Sequence, residues 1–145
     1  ILFFGNGGSA ADAQHLATEI TVRFKKNRKA MAAISLATDT SALTAIGNDF
    51  SFDKIFSRQI EAIGNKGDIA IGITTSGNSK NIIEAAKECK KKNISFFSFS
   101  GNKGGKLKKY TGNIILVPSK QTSVIQTLEI LIGQTFCKIL ENTLR

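Results

Sequence analysis

The chain has 145 residues, 41% hydrophobic and 21% charged, with a mean hydropathy of -0.03, which fits one soluble globular domain and excludes collagen-like, disordered and mucin-like chains. Twenty Lys and Arg against eleven Asp and Glu give a net charge of +9, a field that attracts phosphorylated metabolites, nucleic acid and anionic membranes alike. Apolar runs such as 69–73 and 114–117 are strand-sized and predict no membrane span, since crossing a bilayer takes about 20 residues.

In chain order, residues 1–4 read as a buried strand, followed by a Gly-rich turn and a helix over 10–24. A second strand over 32–36 leads to a short helix over 41–46, and helical apolar spacing continues over 53–63 (Ile55, Phe56, Ile60, Ile63) until Gly64-Asn65-Lys66-Gly67 ends it. A strand over 69–73 precedes a helix over 81–92. A fourth strand covers 94–99, a loop with a short helix 101–110, a fifth strand 114–117, and a long helix 122–144 closes the chain. Strands alternating with helices predict a three-layer α/β/α sandwich around a five-stranded parallel sheet, flavodoxin-like, in one domain over 1–145. The chain begins Ile-Leu-Phe-Phe, with neither Met nor a leader, so the reading predicts no signal peptide and a chain entered in mid-strand.

Cys89 and Cys137 are far apart with no CxxC and no His beside them, so neither a disulfide framework nor a zinc ribbon is suggested and a reducing, cytoplasmic setting is expected. The lysine clusters (Lys25 and Lys26, Lys90 to Lys92, Lys103 to Lys109) fall at helix ends and in loops, where they read as a solvated surface. Trp is absent and Tyr110 is the only Tyr, so no stacking platform for nucleic acid is evident.

Parallel α/β sheets bind ligands beyond the carboxyl ends of their strands, which directs attention to two turns. Gly5-Asn6-Gly7-Gly8-Ser9 runs from a strand into a helix; its glycines let backbone N–H groups approach an anion at a positive helix terminus. Thr74-Thr75-Ser76-Gly77-Asn78-Ser79 repeats that arrangement with four hydroxyls, suited to a phosphate dianion. Ser and Asn are also ordinary helix caps, so it is the pairing of two such loops that points to phosphate. Gly5-x-Gly7-x-x-Ala10 fits a dinucleotide pattern, but the acidic residue it needs, Asp39, comes about 30 residues after the loop instead of about 20, which argues against a nucleotide cofactor. His15 and Glu19 stand four apart on the helix after the first loop, on one face, where they suit proton transfer or metal binding. Asp49, in Gly47-Asn48-Asp49, is expected in a loop, as a sugar contact or a turn residue.

Gly5-Asn6-Gly7-Gly8-Ser9-Ala10-Ala11-Asp12-Ala13-Gln14-His15 with Glu19 and Arg23, then Gly47-Asn48-Asp49-Phe50, Phe56-Ser57-Arg58, Thr74 to Ser79, Ser100-Gly101, Gly104-Gly105, Val117-Pro118 and Ile125-Gln126, resemble in order and spacing the phosphoheptose isomerases of the sugar isomerase (SIS) domain family. That family carries an N-terminal helical segment which this chain lacks. The resemblance implies an aldose-ketose isomerase that converts sedoheptulose 7-phosphate to D-glycero-D-manno-heptose 7-phosphate for lipopolysaccharide heptose synthesis. It implies substrate binding by the first loop (Asn6, Gly7, Gly8, Ser9), Arg23, Asn48, Asp49, the second loop (Thr74, Thr75, Ser76, Asn78, Ser79) and Gln126. Glu19 would move a proton between C1 and C2 through an enediol.

Family enzymes place a His eight residues after the position of Gln126, where this chain has Gln134, an amide that hydrogen-bonds but does not shuttle protons. The family's Arg-Ile-Gln-Glu-x-His reads Val124-Ile125-Gln126-Thr127-Leu128-Glu129 here. Some members bind zinc through residues matching His15, Glu19, Gln126 and that His; with Gln134 in the fourth place the ion would be weakly held. The family also implies a homotetramer, and the apolar helix over 122–144 would be buried in its own domain or against another subunit. A relative with the same fold, the replication-initiator-associating protein of bacteria, also lacks the His and resembles this chain over 137–144. The alternative is therefore a non-catalytic phosphosugar-binding adaptor.

Overall fold

The computed structural model describes residues 1–143. Five strands, β1 (Leu2–Gly5), β2 (Ile34–Ser35), β3 (Ile69–Thr74), β4 (Ser95–Gly101) and β5 (Ile114–Val117), form one parallel sheet in the order β2-β1-β3-β4-β5. The central strands β1 and β3 are buried on both faces, which is why they read as unbroken apolar runs. Gly5 lies opposite Ile73 and Thr74 opposite Ser100, so the turns after β1, β3 and β4 emerge side by side.

The helices are α1 (Gly8–Thr21), α2 (Thr40–Asp49), α3 (Ser57–Ile63), α4 (Lys80–Lys91) and α5 (Thr122–Thr143). On one face of the sheet, α2, α3 and α4 pack around Phe4, Phe56 and Phe96, with Phe4 stacked on Phe96 at 6.1 Å between ring centroids. Gly72 of β3 makes this possible, since a Cβ there would lie 3.0 Å from the Phe96 ring and 3.1 Å from that of Phe4. On the other face, α1 and α5 cover Phe3, Ile71, Ile73 and Phe99.

The expected sandwich forms, with four local departures. β2 pairs over two residues only; it is the sheet edge, where short strands are the rule. The helix predicted over 53–63 is broken, with a 3₁₀ turn (Phe52–Lys54) before α3, because Ile55 and Phe56 both turn into the core between them. Asp49 ends α2 instead of lying in a loop, since the helix runs three residues past Ile46, and Asp39 is its N-cap, accepting from the Ala42 N–H at 2.9 Å.

The fourth concerns α5. By length and composition it is apolar enough to cross a membrane, unlike the short strand-sized runs. Here it lies along the sheet and α1, burying Ile125, Glu129, Gly133, Cys137 and Glu141, a stripe of spacing four. Of the apolar residues off that stripe, Ile130, Ile132, Phe136 and Leu140 pack partly buried against the core, while Leu131 and Ile139 are each 59% exposed.

Candidate functional site

Two turns and two helices meet at the carboxyl end of the sheet. In the first turn the chain leaves β1 at Gly5, where a Cβ would sit 2.6 Å from the Ser9 carbonyl oxygen, and passes through Gly7 at φ 56°, a conformation that favours glycine. The Ser9 N–H donates to the Asn6 carbonyl and the Ala10 N–H to the Gly7 carbonyl, both at 3.0 Å, and α1 thereby starts at the sheet's carboxyl end with its positive end, which stabilises an anion, turned to the site. Ser9 itself is buried, at 3% exposure.

The second turn leaves β3 at Thr74, whose hydroxyl lies 3.4 Å from that of Ser79, the N-cap of α4. It is braced from the β4 side: the Gly101 N–H donates to the Thr75 carbonyl at 3.1 Å, and the Leu107 N–H to the Gly77 carbonyl at 2.9 Å. Asn78 takes part in this brace, accepting from the Lys106 N–H at 3.0 Å and donating to the Ser76 carbonyl at 3.2 Å. Its amide is therefore committed to holding the loop, while Ser76 remains exposed to solvent.

The two turns are tied to each other by a reciprocal amide pair. Asn6 Nδ2 donates to Asn81 Oδ1 and Asn81 Nδ2 donates to Asn6 Oδ1, both at 2.9 Å. Asn81 lies in the first turn of α4, is 2% exposed and is absent from the residues the sequence singles out. No local signal marks it, because its partner is 75 residues away.

The helices α1 and α5 run in parallel register. Gln126 packs against Gly8, where a Cβ would lie 2.6 Å from its Nε2, and Leu16 fills the space that a side chain at Gly133 would need. Further along α1, His15 Nε2 lies 3.1 Å from Glu19 Oε1 and 3.0 Å from Gln134 Nε2. One nitrogen thus serves both neighbours: carrying a proton it donates to the Glu19 carboxylate, and bare it accepts from the Gln134 amide. The structure brings together three of the residues that the sequence places in catalysis or metal binding, and all three reach solvent, the His15 side chain at 52% exposure.

Behind this cluster lies a carboxyl group that needs explanation. Glu129 is fully buried, and neither of its oxygens has a hydrogen-bond partner among the described residues. Burial, then the charge of Asp12, push its carboxyl up to about 8. Burial also lifts Asp12, against the pull of His15, and its Oδ2 is likewise unpartnered among the described residues. No signal in the sequence marks Glu129 as buried, because α5 is apolar around most of its circumference and the fold selects the stripe of Ile125, Glu129 and Gly133.

Other expected contacts lie apart. Arg23 follows the end of α1 and is exposed. Asn48 donates to Asp49 Oδ1 at 2.9 Å, an exposed pair at the end of α2. A cavity of about 630 Å³ beside β2 and an apolar groove of about 560 Å³ between the sheet and α5 contain none of the candidate site residues.

As a metal site the arrangement is poor. Among the described residues no three His, Cys, Asp or Glu side chains gather as a metal-binding group. One imidazole, one carboxylate and two amides do not fit a tight zinc centre.

The SIS domain family model matches residues 1–101. The chain is 54% identical over 141 residues to the phosphoheptose isomerase of Paramagnetospirillum magneticum, covering 97% of this chain and 73% of that protein. It is 52% identical over 143 residues to phosphoheptose isomerase 1 of Campylobacter jejuni, covering 99% and 77%. Among solved structures it is similar to phosphoheptose isomerases from Neisseria gonorrhoeae (TM-score 0.88, 43% identity, 97% of this chain and 76% of that one) and Francisella tularensis (TM-score 0.93, 35% identity, 97% and 75%).

Proposed function

This chain belongs to the phosphoheptose isomerases of the SIS domain family, and on that premise we propose how its residues convert sedoheptulose 7-phosphate to D-glycero-D-manno-heptose 7-phosphate. The observation that carries the mechanism is that two glycine- and hydroxyl-rich helix starts emerge side by side after β1 and β3, while the α1 that the first of them opens carries the Glu19 carboxylate further along, hydrogen-bonded to His15. The phosphate lies against the N–H groups opening α1 and α4, with Thr75, Ser76 and Ser79 supplying hydroxyls. Gln126, seated over Gly8, reaches the sugar chain.

Glu19 takes the proton from the carbon beside the ketone, leaving an enediol, and returns it to the neighbouring carbon, which becomes the hydroxyl-bearing C2 of the aldose. The hydroxyl proton moves in the same sense, from the C1 oxygen to the C2 oxygen, so that C1 becomes the aldehyde. Gln134 can steady a developing oxyanion and holds His15, which in turn orients Glu19. No step passes through zinc; an ion supplied at His15, Glu19, Gln126 and Gln134 binds weakly and is not required.

The finer setting is part of the same proposal: a cytoplasmic homotetramer serving lipopolysaccharide heptose synthesis, with no nucleotide cofactor. The openness of the site and the exposed apolar residues Phe97, Ile115, Leu131 and Ile139 support further subunits. The adaptor alternative draws no support from relatives that carry the isomerase name. Incubation with sedoheptulose 7-phosphate should yield the aldose; tight binding with no conversion would overturn the isomerase reading and restore the adaptor. Light scattering that gave a monomer would remove the tetramer.

A further inference from the structure

We propose that Asn81 is a positioning residue of the phosphosugar site, paired with Asn6 so that the two phosphate-binding turns keep a fixed separation. The proposal deepens the isomerase reading and rests on it for the identity of the substrate. A phosphate held jointly by the starts of α1 and α4 is sensitive to the gap between them, since a donor moved out of hydrogen-bond range no longer contributes. The second turn is already fixed on its β4 side by the Gly101, Lys106 and Leu107 N–H groups. On its β1 side, the Asn6–Asn81 pair is the side-chain link between the two turns among the described residues.

The chemistry of the pair suits this task. Two amides joined by two hydrogen bonds form a near-planar ring that fixes both distance and orientation. Neither amide carries a charge, so the strut does not compete with the phosphate or repel it, as a carboxylate would. Asn81 is out of solvent, so loss of its partner strands a donor and an acceptor that water cannot readily serve. The Asn6 side chain, in turn, acts first on Asn81, and its contribution to the substrate comes through the turn it holds.

The test uses Asn81→Ala, Asn6→Ala and the double variant, with affinity for inorganic phosphate by calorimetry and KM and kcat for sedoheptulose 7-phosphate. Each single variant should weaken phosphate and raise KM on the order of tenfold, with kcat changed less than about twofold, and the double should be no worse than the poorer single. Unchanged phosphate affinity in a folded single variant overturns the proposal, as do losses that multiply in the double. If Asn81→Ala does not fold, Asn6→Ala and Asn81→Asp decide, the latter retaining the acceptor but adding a charge, and weakening phosphate more than Asn6→Ala. Phosphate binding without turnover by the unaltered protein would refute the isomerase reading, while the calorimetry would still judge the pair.

Discussion

Where α2, α3 and α4 cover the sheet, Phe4, Phe56 and Phe96 interlock around Gly72, and Cys89 is buried so deeply that its thiol is pushed up to about 12. Where α1 and α5 cover it, the buried stripe of α5 admits two carboxylates, Glu129 and Glu141, and Phe97, Leu131 and Ile139 stay open to solvent. Glu141 there accepts from the Phe24, Lys25 and Lys26 N–H groups, and Arg28 caps α1 through the Glu19 and Ile20 carbonyls. The first face is a close-packed apolar core whose site chemistry is confined to the start of α4, where Ser79 and Asn81 lie. The second accepts polar groups in its interior and carries Glu19, His15 and Gln134 at its edge.

Substitutions on the two faces should therefore separate activity from stability. The largest effect is expected for Glu19→Gln, which keeps the shape of the side chain but removes the base: kcat should fall about 10² to 10⁴-fold, with the melting temperature little changed. A fall in stability matching the loss of activity would erase the contrast between the faces. Phe56→Ala, on the opposite face, should cost about 3 to 5 kcal/mol in a urea melt, and the residual folded fraction should turn over normally.

The third prediction concerns pH. The Glu129 carboxyl in the folded protein lies above its ordinary value of 4.5, at about 8. Below pH 4.5 folded and unfolded states both hold the proton, and there is no penalty. As pH rises from 4.5 the unfolded carboxyl ionises first, so folding loses stability until about pH 8, where the loss levels off. Glu129→Gln should consequently be the more stable protein by roughly 2 to 4 kcal/mol at pH 8 and no more stable near pH 4. A difference that did not grow with pH would mean that the buried carboxyl has a partner and that the second face is no more polar in effect than the first.

Part of this contrast is legible in the amino-acid sequence. The sheet is, because strands rich in apolar residues alternate with helices along the chain, and so are both phosphate turns, because Gly5 to Ser9 and Thr74 to Ser79 concentrate glycine and hydroxyls at strand ends. The extent of β2 is not, since an edge strand is defined by the neighbour it meets and only Ile34 and Ser35 meet one. Nor can apolar spacing tell that Leu131 faces outward while Glu129 faces in: α5 is apolar around most of its circumference, and contact with α1 selects the buried stripe. Asn81 is hidden for a related reason, being an ordinary residue of a helix start until the fold brings Asn6 to it.

The smallest effect is expected from chelation. With an amide at Gln134 in place of an imidazole and, among the described residues, no gathered set of strong donors, prolonged treatment with a chelator should leave kcat within about twofold of its starting value, a change too small to reflect loss of a Lewis acid. A loss restored by zinc would show that the second face is organised around a metal instead of hydrogen bonds.

The most direct measurement is solvent deuterium incorporation into the carbon beside the ketone of sedoheptulose 7-phosphate, followed by NMR for the unaltered protein and for Glu19→Gln. An enediol made by Glu19 predicts label entering with the unaltered protein and none above background with the variant. Label entering at equal rates in both would place the base elsewhere and contradict the role given to Glu19.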